Sequence, residues 1–94
     1  MKLVVPAETR AGERRVAVVP DLVSKLSGLG LEVIVQAGAG EASGAPDAAY
    51  IAAGASITSD IAGALRDADV VASVRPLNPD VSSTLKKGAV TVSF

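Results

Sequence analysis

The sequence predicts an α/β domain built on a doubly wound, mostly parallel sheet of the flavodoxin-like or Rossmann-like kind. Two observations carry this. Short Val/Ile/Leu runs alternate strictly with segments that hold helix start and stop signals, and those runs are continuous rather than every-other-residue. Continuous apolar runs suit parallel strands covered on both faces. Strict alternation of strand and helix implies right-handed crossovers, hence helices on both sides of the sheet. A closed barrel of such units needs far more chain than 94 residues.

Strands are expected at about 2–5, 31–36, 55–57, 70–74 and 89–93. Between the first two, Pro20 fits the first turn of a helix, where its missing N–H is harmless. Leu22, Val23, Leu26 and Leu29 then form one apolar stripe, and Gly30 stops the helix. Pro46-Asp47 opens a second helix with Tyr50 and Ile51 inward and Gly54 at its end. Ser59 is placed to cap a third, with Ile61 and Leu65 inward. Asn78-Pro79-Asp80 signals a fourth that carries Val81 and Leu85 and stops at Gly88. The chain closes on a strand-like run with no helix after Phe94, and an uncovered final strand is an open edge. The expectation is one domain over residues 1–94, incomplete at its C-terminus and covered by further chain or by a partner, with a homodimer as the simplest partner.

Ala and Val supply most of the 49% hydrophobic content, with one Tyr, one Phe and no Trp. Small aliphatic side chains bury less area each, so stability must come from close packing of elements. Nine basic and ten acidic residues give a net charge of −1, with no basic block, which leaves no electrostatic footprint for nucleic acid or a membrane surface. No apolar run approaches the ~20 residues that span a bilayer. Met1-Lys2 runs straight into a strand without a signal-peptide core, so a soluble cytoplasmic domain is expected. Absence of Cys and His removes thiol catalysis, disulfides and the commonest general base, and the carboxylates show no metal-ligand spacing. By its own residues the domain is a shaped wall rather than a complete active site.

Ligands of open α/β sheets sit outside the carboxyl ends of the strands. The polar residues expected there are Glu8 to Arg15 after the first strand, Gly38 and Gly40 after the second, and Thr58 after the third. Ser73 and Arg75 follow at the end of the fourth. Arg15 suits an anion, because a guanidinium grips a carboxylate through two parallel hydrogen bonds. Pairing with Glu8 or Glu13 to fix the loop explains it equally well. Arg75, before Pro76, either lines the same edge or is a solvated surface residue. Gly38-Ala39-Gly40-Glu41-Ala42-Ser43-Gly44 is read as a turn. Its third glycine is one position late for a dinucleotide fingerprint, and it follows the second strand without opening a helix.

Longer stretches carry a resemblance. Val5-Pro6-Ala7-Glu8, then Gly12-Glu13-Arg14-Arg15-Val16-Ala17, then Pro20-Asp21-Leu22-Val23 resemble the opening of the alanine dehydrogenase / NAD(P) transhydrogenase α-subunit family. The likeness continues through Glu32 to Glu41, Ala52 to Ala55, Ala68 to Val71 and Gly88 to Phe94, and so covers nearly the whole chain in register. It implies a two-domain oxidoreductase in which this N-terminal domain faces the nicotinamide cleft. NAD is then held mainly by a later Rossmann domain.

In the alanine dehydrogenase branch, the resemblance implies that Arg15 holds the substrate carboxylate. That branch carries a substrate-contacting Lys on the fourth strand, a Lys that many transhydrogenase α subunits keep too, where this chain has Ser73, and its catalytic His lies beyond residue 94. Val19, where Ser or Thr commonly caps the next helix, and Val4, where Gly is common, are two further departures. Gly12 to Ala17 is more similar to the transhydrogenase branch. That branch implies hydride transfer from NADH to NADP on a partner subunit, proton translocation through membrane-bound partners, and a cytoplasmic location peripheral to the inner membrane. The alternatives are an alanine dehydrogenase domain, converting alanine to pyruvate with NAD, and a non-catalytic flavodoxin-like interaction module. Saccharopine dehydrogenases share a related opening.

Overall fold

The computed structural model describes residues 1–7, 16, 18–74, 85 and 88–93. Five strands form one sheet: β1 (Lys2–Val5), β2 (Glu32–Gln36), β3 (Ser56–Thr58), β4 (Val70–Ser73) and β5 (Val90–Ser93). Their order is β3-β2-β1-β4-β5 and every pairing is parallel. Of the two doubly wound orders, this is the Rossmann one rather than the flavodoxin one, which runs 2-1-3-4-5. The chain steps outward from β1 to β2 to β3, then crosses back over both to begin β4 on the other side of β1. The switch point therefore lies between β1 and β4.

Alternation along each strand sorts the core into two layers. Leu3, Val5, Val33, Val35 and Ala72 turn to one face, where Val23 of α1 (Pro20–Gly28) and Tyr50 of α2 (Asp47–Ala52) meet them. Val4 and Val71 turn to the other, against Leu65 of α3 (Ile61–Asp67) and Ala68, with Ile34, Ile61 and Leu85 packed around them. Both Val4 and Val5 are fully buried, which explains the continuous apolar run of β1. Asp69 fastens the start of β4 to the start of β1: the Lys2 N–H donates to its carboxylate at 2.7 Å, and its own N–H donates to the Lys2 carbonyl at 2.9 Å. Among the described residues, no helix is long and apolar enough to cross a membrane.

Two helices end alike. The Leu31 N–H reaches the Leu26 carbonyl and the Gly30 N–H the Ser27 carbonyl; Ala55 and Gly54 repeat the pattern onto Tyr50 and Ile51. These are Schellman closures, and they need a residue with positive φ after the last turn. Gly30 at 90° and Gly54 at 108° supply it.

At three positions the structure departs from expectation. Leu29 does not continue the stripe of α1: it leaves helical geometry as the cap, with ψ of 3°, and is 78% exposed. Ile51 also faces outward. One residue on from buried Tyr50, it is rotated about 100° around the helix axis and lies 58% exposed. Ser59 is not the cap of α3. Asp60 is, and its carboxylate accepts from the Gly63 N–H at 3.2 Å while its own N–H donates to Thr58 Oγ1 at 3.0 Å. The expected fourth helix falls largely on residues outside those described, although Leu85 packs on the α3 face and Gly88 has φ of 89°.

The cap assignment separates two variants. Asp60→Ala is expected to cost about 1 kcal/mol, and Ser59→Ala to stay within about 0.5 kcal/mol of the parent. Denaturant midpoints measured on both variants check it.

Candidate functional site

The carboxyl ends of β1 and β4 flank the switch point, where open α/β sheets take their ligands. β1 ends at Val5 and continues into buried Pro6 and half-buried Ala7. Pro6 has no N–H to prolong the ladder. On the β2 side the Ala7 N–H donates to the side-chain carbonyl of Gln36, the last residue of β2, at 2.7 Å. Where the chain returns toward α1, Val16 and Val18 are buried in the α1/α2 layer. The Tyr50 hydroxyl donates to the Val18 carbonyl at 2.8 Å. Both stems of the β1–α1 connection are thus held by side chains of the β2–α2 unit.

Ser73 closes β4 beside the switch point and is 1% exposed, and Val74 after it is buried. The other expected site residues, Glu8, Arg15 and Arg75, lie outside the described residues. Thr58 stands at the end of β3, where its hydroxyl is engaged by the Asp60 N–H and its carbonyl by the Ala37 N–H. It serves the turns there.

The glycine segment after β2 is a turn, as its spacing predicts. Glu41–Ser43 form a single 3-10 turn, followed by Gly44 at φ of 88°. The Gly38 N–H is taken by the Asp47 carboxylate at 2.9 Å. A Cβ on Gly40 would lie 2.6 Å from the Ala45 carbonyl oxygen and from the Tyr50 ring. These glycines make room for Tyr50 and for the turn, so the segment does not fit a pyrophosphate. A shallow groove of about 310 Å³ lies elsewhere, between α3 and the β2–β3 edge, with Lys2, Glu32, Asp60 and Asp67 on its walls. It holds charges of both signs and stands away from the switch point.

Residue reading missed Gln36 and the Tyr50 hydroxyl. Periodicity places Tyr50 inward but is blind to its polar tip. A lone Tyr in an Ala-rich helix is the available signal, because a buried phenol needs an acceptor.

Burial pushes the Tyr50 phenol above its ordinary value of about 10, and the Asp47 carboxylate one turn earlier adds to the rise. The folded state then keeps a proton that the unfolded chain releases, so stability present below pH ~10 falls as pH rises past it. Denaturation of the wild type between neutral and strongly alkaline pH is expected to show this loss, and Tyr50→Phe to lack it. The same substitution costs about 1–3 kcal/mol near neutrality, because the Val18 carbonyl is left buried without its donor. Since the chain has one Tyr, phenolate absorbance reads the group directly.

Known proteins share both the sequence pattern and this geometry. Residues 4–94 match the family model described as alanine dehydrogenase/PNT, N-terminal domain. The chain is 50% identical over 95 residues to an NAD(P) transhydrogenase subunit alpha protein of Rhodospirillum rubrum, covering 96% of this chain and 25% of that protein. It is 37% identical to the alanine dehydrogenase of Halomonas elongata, over 100% of this chain and 25% of the relative. The crystal structure of a transhydrogenase from Sinorhizobium meliloti superposes with a TM-score of 0.92 at 35% identity, over 99% of this chain and 27% of that one. The chain thus spans about a quarter of the length of the curated relatives it matches. A parallel Rossmann-order sheet, a switch point flanked by the β1–α1 connection and the end of β4, and a family match over residues 4–94 agree: the chain belongs to the alanine dehydrogenase/PNT N-terminal domain family.

Proposed function

We propose that this chain is the N-terminal, cleft-forming domain of an NAD(P) transhydrogenase α subunit. The observation that carries the reading is Ser73. At the end of β4, where the resemblance implies a substrate-binding Lys in alanine dehydrogenases, stands a small hydroxyl that is 1% exposed. A keto-acid site without that ammonium lacks a charge-assisted contact worth roughly 1.5–3 kcal/mol, whereas hydride transfer between two nucleotides needs no carboxylate clamp. The 50% identity to the Rhodospirillum rubrum subunit supports the same choice.

In this reading a later Rossmann domain holds NAD, and the present domain walls the nicotinamide cleft with the carboxyl ends of β1 and β4. Its contribution is to shape the cleft and exclude water, with Arg15, Glu8, Ser73 and Arg75 as lining residues. Hydride passes from NADH to NADP on a partner subunit, proton translocation belongs to membrane-bound partners, and the α subunit is a homodimer on the cytoplasmic side. The second reading is an alanine dehydrogenase domain, supported by the 37% identity to the Halomonas elongata enzyme.

Two assays on the full-length protein separate the readings. Hydride transfer from NADH to an NADP analogue, with the partner subunit present, is expected to turn over. NADH oxidation with pyruvate and ammonia is expected not to, and turnover there would establish the second reading. The 94-residue domain alone is expected to bind NADH weakly or not at all; micromolar affinity by calorimetric titration would count against the assignment of NAD to the later domain.

A further inference from the structure

We infer that Gln36 and Tyr50 are positioning residues for the functional cleft, acting through the two stems of the β1–α1 connection. The inference rests on the proposed function only in taking the carboxyl end of β1 as the cleft wall. Its structural basis is independent of which oxidoreductase the full protein is.

The connection departs from β1 at the switch point, the place where a displaced backbone is felt most by a bound ligand. Beyond Val5 the outgoing stem loses the ladder on the β4 side, since Pro6 has no N–H to give. The Gln36 amide oxygen takes the next donor, the Ala7 N–H, at 2.7 Å. Its returning stem is held at the Val18 carbonyl by the Tyr50 hydroxyl, 2.8 Å away. Tyr50 in turn has one available place: its side chain is fully buried, and its ring fills the space above Gly40 that a Cβ would occupy. The α2 turn is fixed to the glycine segment again by Asp47, through the Gly38 N–H. One rigid piece, from Gln36 to Tyr50, therefore grips the connection at both ends. Neither side chain needs to touch a ligand to set where the cleft wall stands.

The test is made in the full-length protein. Tyr50→Phe deletes only the donor. Gln36→Met deletes the acceptor at similar volume, and Gln36→Glu keeps it. Displacement of a cleft wall is expected to lower kcat by about 10- to 100-fold in Tyr50→Phe and Gln36→Met while the KM for the nucleotides is unchanged. Gln36→Glu is expected to restore most of the loss. Wild-type kcat in both deletion variants overturns the inference. So does a loss that Gln36→Glu fails to rescue, which would mark the effect as general destabilisation. If the protein uses pyruvate and ammonia instead, the transhydrogenase reading fails, and the same kcat comparison on that reaction still judges the positioning role. If neither reaction turns over, amide hydrogen exchange decides. Faster exchange at Ala7, Val16 and Val18, with β2 unchanged, supports the inference; unchanged exchange there overturns it.

Discussion

Everything in this domain is arranged about a strand of four residues that has no solvent-facing side in its interior. Val4 and Val5 are both fully buried, one on each face, and β1 has a parallel neighbour on either side. A strand in that position requires two separate layers of cover, which fixes the rest of the architecture. α1 and α2 close one side, and α3 with Leu85 closes the other. The crossover from β3 back to β4 is the consequence, because only a connection on the second face can cover Val4 and Val71. The switch point between β1 and β4, and with it the sheet edge proposed as the cleft wall, follows from the same need for double cover.

How much of this could be read from residues depended on whether the determining force was local. All five strands were legible, but burial on both faces accounts only for β1 and β4, whereas β3 and β5 are the sheet edges and Val90 and Val92 are exposed. Helix ends at Gly30 and Gly54 were legible as well, since a Schellman closure requires positive φ and glycine supplies it most cheaply. Leu29 and Ile51 were misread for a shared reason. Hydrophobicity alone does not say where a short helix stops or which way its last turn faces, and both residues sit where helical geometry is ending. The shift of the α3 cap from Ser59 to Asp60 is a one-residue matter of register, decided by which side chain reaches the Gly63 N–H.

The candidate site was legible in outline and not in mechanism. Topology points to the carboxyl ends of β1 and β4, and Ser73 stands there. The spacing of the glycine-rich stretch after β2 predicts a turn, and the geometry supplies the reason, namely a phenol seated where a side chain would be. Gln36 and the Tyr50 hydroxyl act across 29 and 32 residues of sequence, onto Ala7 and Val18. No pattern in a single sequence encodes contacts of that range. They become visible only when the sheet has brought β1 and β2 side by side.

The seating of Tyr50 over Gly40 also has a consequence for how such a domain can diverge. Neither position is free to drift alone. Any side chain at 40 collides with the ring, and loss of the ring at 50 opens a void under the turn and strands the Val18 carbonyl. Single substitutions at either position are therefore penalised, and shrinking residue 50 does not free position 40, where a Cβ still lies 2.6 Å from the Ala45 carbonyl oxygen. Position 40 is thus held to glycine by the backbone of its own turn as well as by the ring, and position 50 to a side chain that both fills the space and donates to Val18. A variant of this domain without the Tyr50 hydroxyl must satisfy the buried Val18 carbonyl in another way.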